Sequence, residues 1–306
     1  MGNLIVFMRK VADGLQENGN YGTAHVYRSS LGAIIAFNNS EVLPFRKLTP
    51  EYVKKFEIHL RKRGCSWNTV STYIRVLRAV YNRAVDQRIA NFVPRLFRNV
   101  YTGTRADHKR SMDHTEIAKM LDEKYGTKFL TPSLVRTKKM FLLMFMLRGL
   151  PFVDLAYLRK SDLDGDVIAY RRKKTGRALR VTLTPEAKIL LNTLRNEDPQ
   201  SPYLLSLLNS SEGTTKAYYE YQLALRNFNR QLMLLKTMMG LGSNLSSYTA
   251  RHTWATMAYY SEIHPGIISE AMGHSSITVT ETYLKPFRNR KIDEANDQVI
   301  AFSKRA

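Results

Sequence analysis

Apolar positions recur along the first hundred residues with the spacing of helix faces, and four amphipathic helices follow from it. Leu4 to Leu15 is a short periodic segment. Thr23 to Phe37 follows, with Val26, Leu31, Ile34, Ile35 and Phe37 on a mainly apolar face. Thr49-Pro50-Glu51 has the form of a helix start, because Thr can cap and Pro fits the first turn, where no N–H is needed. Tyr52, Phe56 and Leu60 then repeat at i, i+4, i+8 until Gly64. Ser66 or Asn68 opens the fourth helix, which runs to about Gln87 on a stripe of Val70, Ile74, Leu77 and Tyr81. From Asn91 to Arg110 the periodicity disappears, and Pro94, Gly103 and scattered Arg, Asn and Thr predict a basic linker.

A second pattern starts near Ser111. Asp113 or Thr115 caps a helix through Ile117, Met120 and Leu121, and Thr131-Pro132-Ser133 starts another. The latter rises into Met140–Leu147, which is apolar all round and therefore buried, and it ends in Arg148-Gly149-Leu150-Pro151. A charge at the tip of a buried helix calls for a partner or a task. Val167–Arg172 and Ala178–Leu183 predict two strands joined by Lys173-Lys174-Thr175-Gly176-Arg177, with Gly176 at the tight turn. Thr184-Pro185-Glu186 begins a further helix, Thr214 to about Met239 a long one, and the stretch from Ser246 is helical with short breaks. Beyond Pro286 lie a basic run and an amphipathic tail carrying Ile292, Val299, Ile300 and Phe302. The fold class predicted is mainly α with a small β-sheet. Its organisation is a helical domain over residues 1–90, a linker over 91–110 and a mixed α/β domain over 111–306.

Charge changes the picture. The chain of 306 residues carries 47 Lys and Arg against 26 Asp and Glu, a net charge of +21, and the surplus is spread over both halves. So large an excess points to a polyanion, and its spread implies that both domains meet it. Arg75, Arg78 and Arg83 lie off the apolar stripe of the fourth helix, close to Thr69, Ser71, Thr72 and Tyr73. Those residue types are the usual contacts to a DNA backbone. The single cysteine, Cys65, excludes an intramolecular disulfide and a cysteine-rich zinc site. The apolar run Asn3–Met8 is too short to span a bilayer, so no membrane association is expected. The expected location is the cytoplasm of a prokaryote, on the nucleoid.

The chemistry concentrates between Ser246 and Leu284. Arg251-His252-Thr253-Trp254-Ala255-Thr256 is followed by Met272-Gly273-His274-Ser275-Ser276-Ile277 and then by Tyr283, nine residues after His274. This ordered set resembles the tyrosine recombinase (phage integrase) family. Asp154-Leu155-Ala156-Tyr157-Leu158-Arg159-Lys160-Ser161-Asp162-Leu163 resembles the segment after that family's first catalytic arginine, and Lys174-Thr175-Gly176 sits where the family places a hairpin lysine. The resemblance covers nearly the whole chain. It implies a SAM-like core-binding domain followed by the tyrosine recombinase catalytic domain.

The activity it implies is site-specific recombination, in which DNA is cleaved and rejoined through a 3′-phosphotyrosine without cofactor or metal. Tyr283 is then the nucleophile, Arg251 and a first arginine grip the scissile phosphate, Lys174 protonates the leaving 5′-oxygen, and His274 donates a hydrogen bond to the phosphate. The residue types suit this work on physical grounds. Nearby cations make a phenolate of intrinsic pKa about 10 more accessible, and planar guanidinium matches phosphate bidentately.

Two positions depart from the family pattern. Tyr248 stands where a histidine is usual, three residues before Arg251. A phenol can still contact phosphate but is a poor base at neutral pH. Pro151 stands where the first arginine is usual, so Arg148, about one helical turn earlier, is expected to supply that guanidinium, with Arg172 as the fallback. Lys173 is the rival of Lys174, and His252 is read as a core or second-layer histidine beside the DNA.

The partners implied are double-stranded recombination sites, a homotetramer on DNA linked through the C-terminal tail, and an accessory DNA-bending protein. The chain opens on the core-binding helices, which leans towards an invertase or another mobile-element enzyme. The competing readings are a DNA-binding regulator that does not cut and a type IB topoisomerase-like enzyme.

Overall fold

The computed structural model describes residues 2–105, 111–125, 129–282 and 289–303. The chain divides into two compact units, Met1–Asp107 and His108–Ala306.

In the first unit, α1 (Leu4–Glu17), α2 (Tyr21–Asn38), α3 (Pro50–Lys62) and α4 (Trp67–Asp86) pack round one core. Leu4, Ile5, Met8, Ile34, Phe56, Leu60, Ile74 and Leu77 are fully enclosed. The caps follow local chemistry. The Oδ1 of Asn3 accepts from the N–H of Ile5 at 3.0 Å, and the Oγ1 of Thr49 accepts from that of Tyr52 at 3.2 Å. The cap of α4 is Ser66, whose Oγ accepts from the N–H of Thr69 at 3.2 Å. Each such cap satisfies an N–H that the helix itself leaves open.

The aperiodic stretch after α4 packs on this unit as far as Arg105. The side chain of Leu96 is buried in the core, and the N–H of Val93 donates to the Tyr81 hydroxyl at 2.7 Å. The N–H of Tyr101 donates to buried Glu57 at 2.6 Å, and Asn68 and Arg105 exchange two hydrogen bonds. Turns and irregular chain that satisfy their polar groups sideways show no helical period, which is why the sequence reads as a linker there.

The second unit has α5 (His114–Leu121), α6 (Pro132–Met146) and α7 (Phe152–Tyr157), then strands β1 (Leu163–Asp164), β2 (Val167–Arg171) and β3 (Ala178–Thr182). Next come α8 (Pro185–Leu194), α9 (Thr215–Met238), α10 (Thr249–Tyr260), α11 (Pro265–Met272), α12 (Ile277–Glu281) and α13 (Asn289–Ser303). Asp113 caps α5, with Glu116 completing a capping box. The sheet is antiparallel in the order β1-β2-β3, with Ile168 opposite Val181 and Tyr170 opposite Leu179.

Helix α6 is central: α8, α9 and α10 all pack on it, and Phe141, Leu143 and Met144 are fully buried. Phe152 stacks on Phe228 with centroids 4.7 Å apart, which locks α7 to α9. The whole is mainly helical with one small sheet. No helix among the described residues is long and apolar enough to cross a membrane.

Candidate catalytic site

The site begins where α6 stops. Arg148 and Gly149 both adopt left-handed backbone, with φ of 58° and 69°, and the chain folds back so that the N–H of Leu150 donates to the Met144 carbonyl at 2.9 Å. The second of these residues has to be glycine. A Cβ on Gly149 would lie 2.7 Å from the Cα of Arg251, so the turn and α10 touch backbone to backbone. That approach lets buried Arg251 donate from Nη1 to the Gly149 carbonyl at 2.9 Å. The side chain of Arg148 is half-buried and reaches the Arg180 carbonyl on β3 at 3.2 Å.

Helix α11 ends in the same way. Gly273 has φ of 67°, and the N–H groups of Gly273 and His274 donate to the Glu270 and Ser269 carbonyls at 2.9 Å. This is a glycine-ended helix whose next residue is aimed by the turn. His274 is 6% exposed. Its Nε2 lies 2.7 Å from the Nη2 of Arg251, its Nδ1 lies 2.8 Å from the Oγ1 of Thr280 on α12, and its carbonyl accepts from Arg177 at 2.6 Å. A guanidinium is only ever a donor, so Nε2 must accept and the ring proton sits on Nδ1, donating to Thr280. Burial first, and then Arg251, Arg172, Arg177 and Lys174, push the imidazole down to about 3. It is therefore neutral at any ordinary pH.

The β2–β3 hairpin closes the group. Arg172, 7% exposed, follows β2; its Nη1 donates to the Met272 carbonyl at 2.5 Å, and its Nε lies 2.7 Å from the Oδ2 of Asp154. The other carboxylate oxygen of Asp154 accepts from the N–H of Lys173 at 2.8 Å. Burial raises the pKa of Asp154, against the pull of that N–H and of Arg172. Guanidinium groups from Arg148, Arg172 and Arg251 all bear on the buried Tyr170, whose phenol is nonetheless raised, chiefly by burial. Cations gathered among buried groups, away from bulk water, attract an anion strongly.

The structure brings Arg251 and His274 into contact, with Lys174 on the exposed hairpin close enough to act on the His274 ring, while Arg148 reaches the Arg180 carbonyl on β3 and, like Arg251, bears on Tyr170. Tyr283 lies outside the described residues; Thr280, three positions before it, is the residue bonded to His274. Lys173 is turned elsewhere: its Nζ pairs with Glu212 and stands 4.7 Å from the centroid of the Tyr157 ring. Tyr248 is 48% exposed at the N-terminal cap of α10, and His252 is half-buried on that helix. Arg75, Arg78 and Arg83 are exposed on α4, in the first unit.

Sequence reasoning missed Asp154, Arg177 and Thr280 as parts of this group. Asp154 had a signal, being a carboxylate in an apolar helix start. Arg177 and Thr280 had none, because a hairpin arginine and a helix threonine look like ordinary surface.

The chain matches two family models: the phage integrase SAM-like domain over residues 3–96 and the phage integrase family over residues 110–290. Tyrosine recombinase XerC of Rickettsia bellii (strain OSU 85-389) is 24% identical over 286 residues, which cover 89% of this chain and 88% of that protein. The Tn1549 transposon integrase in complex with a circular intermediate DNA has the same fold, with a TM-score of 0.67 and 15% identity over 97% of this chain and 100% of that one. A lambda integrase dimer bound to a COC′ core site gives 0.66 and 15% over 92% and 95%.

Proposed function

Because the chain belongs to the phage integrase family, we propose that the cations round Arg251 and His274 are its cleavage site and that Tyr283 is the nucleophile. The protein is a tyrosine-type, site-specific recombinase that cuts and rejoins DNA. The observation that supports this assignment of residues is the 2.7 Å contact between two buried groups, Arg251 and His274, tied through Thr280 to the helix that precedes Tyr283.

The steps follow from the geometry. The scissile phosphate enters and takes the guanidinium donors of Arg148 and Arg251. When Arg251 turns to the phosphate, the Nε2 of His274 is released. The phenol of Tyr283 gives its proton to solvent as its oxygen attacks phosphorus. The P–O5′ bond breaks, and Lys174 gives its proton to the leaving 5′-oxygen. Charge that builds on the non-bridging oxygens meets preorganised donors, usually the largest catalytic contribution. Religation runs the same steps backwards, since the phosphotyrosine keeps the bond energy. On the sequence alone His274 is expected to donate to the phosphate; once Arg251 has turned away, the Thr280 hydroxyl can donate to Nδ1 and leave the proton on Nε2 for that bond.

The finer reading is a mobile-element or inversion recombinase of the prokaryotic cytoplasm. It acts as a homotetramer on paired sites, with Tyr248, His252, Arg75, Arg78 and Arg83 on the DNA and an accessory bending protein assisting. The test is a nicked suicide substrate carrying the protein's own site. Wild type should form a covalent protein–DNA adduct, and Tyr283→Phe should bind equally but form none. An adduct that survives in Tyr283→Phe removes the assignment.

A further inference from the structure

We infer that Arg172 is a positioning residue, which clamps the end of α11 so that Arg251 and His274 meet, and that it does not itself hold the phosphate. The inference rests on the cleavage-site assignment above and deepens it. Three observations carry it.

The first is what the guanidinium touches. Its Nη1 donates to the Met272 carbonyl at 2.5 Å and reaches the Gly273 carbonyl at 3.5 Å. These are the last carbonyls of α11, left without partners inside the helix. A cation there also meets the negative end of the helix.

The second is a shared acceptor. The Met272 carbonyl also accepts from the Nη2 of Arg251 at 2.7 Å, and that same nitrogen contacts the Nε2 of His274. Arg172 and Arg251 thus grip one oxygen, two residues before His274. Movement of the α11 terminus displaces both of the groups assigned to catalysis.

The third is charge. Arg172 stands 2.7 Å from the buried Oδ2 of Asp154, whose Oδ1 is held by the N–H of Lys173. Turning Arg172 towards a phosphate would leave that carboxylate buried and unpaired, which is costly. The charge of Arg251 also bears on Asp154, but hydrogen bonds of Arg148 and Arg251 run to the Arg180, Gly149 and Met272 carbonyls and to the His274 ring. Arg172, by contrast, stands against a carboxylate oxygen of α7 while it holds the end of α11.

The experiment measures single-turnover adduct formation on the suicide substrate. Each protein is tried on ordinary DNA and on DNA whose scissile phosphate is a neutral methylphosphonate. Removing the phosphate charge makes a guanidinium that answered it dispensable, so Arg251→Ala should recover on the neutral substrate. Arg172→Met should slow the adduct about 10²-fold, the usual scale for a misplaced catalytic group. DNA affinity should be unchanged, and on the neutral substrate the variant should recover only the share of its loss that passes through Arg251, less than Arg251→Ala recovers. In combination with His274→Ala, Arg172→Met should cost little more than His274→Ala alone, whereas a residue that only stabilises the fold would add its full effect. Arg172→Lys keeps the charge but cannot span Asp154 and the two carbonyls. It should behave like Arg172→Met, and it supplies the reading if the latter does not fold. Recovery of either Arg172 variant on the methylphosphonate as complete as that of Arg251→Ala, or cleavage at the wild-type rate, overturns the inference. If wild type forms no Tyr283-dependent adduct, the cleavage-site assignment itself has failed.

Discussion

His274 shows how much one side chain is defined by its neighbours. A histidine in water has an even chance of its proton near pH 6.5, whereas this one is buried among four cations and is pushed down to about 3. The sign of the consequence is fixed. Above 6.5 both the folded and the unfolded chain hold a neutral ring. As pH falls below 6.5 the unfolded chain takes up the proton and the folded chain does not, so stability is lost between 6.5 and about 3. The loss from this group approaches about 1.4 kcal/mol per pH unit. Urea unfolding of DNA-free wild type and of His274→Gln, followed downwards from pH 7, should therefore converge, with wild type falling faster. Curves that run parallel would show that the imidazole is not held neutral.

At the scale of elements, the site is a meeting of two helix ends and a hairpin, and the ends meet only because glycine is placed at each joint. Gly149 and Gly176 test this by contrast. Both adopt φ of 69°, but a Cβ on Gly149 would strike the backbone of α10 at 2.7 Å, while a Cβ on Gly176 meets nothing within 4 Å. Gly176→Ala should cost only backbone strain, on the order of 1 kcal/mol. Gly149→Ala adds a clash that no rotamer relieves, on the order of a further 1–3 kcal/mol. It should also abolish adduct formation, since α10 carries Arg251. Equal losses of stability, read from urea midpoints, would mean that the close approach is not needed.

The contrast also marks what the sequence could reveal. The helices and the hairpin were legible because their apolar periods and their Thr-Pro and glycine punctuation are local signals; strand limits differ by one residue at the C-terminal ends. The family was legible because Arg251, His274 and Tyr283 stand in a recognisable order. What escaped were pairings across turns and between elements: Thr280 bonding back to His274, Asp154 answering Arg172, and Leu96 returning to the first core. No apolar period encodes which polar partner a side chain meets across a turn, and the short α7 and β1 leave too few residues to display a period.

The whole molecule is a strongly basic pair of units, and its surplus of charge has a measurable form. Each phosphate neutralised on duplex DNA releases counterions, so affinity falls with salt along a logarithmic slope of about 0.9 per contact. The first unit offers Arg75, Arg78 and Arg83, all exposed on α4 and none engaged in its core. Replacing the three with Ala should flatten the slope by up to about 2.7 if each meets one phosphate. Folding stability should hardly change, because exposed substitutions away from caps and cores usually stay within about 0.5 kcal/mol. The adduct formed at saturating protein should also proceed at the wild-type rate, since the cations round His274 are in the other unit. Titrations of the triple variant over a range of salt would decide it. An unchanged slope would mean that α4 turns this face to solvent and that the DNA is held by other parts of the basic surface.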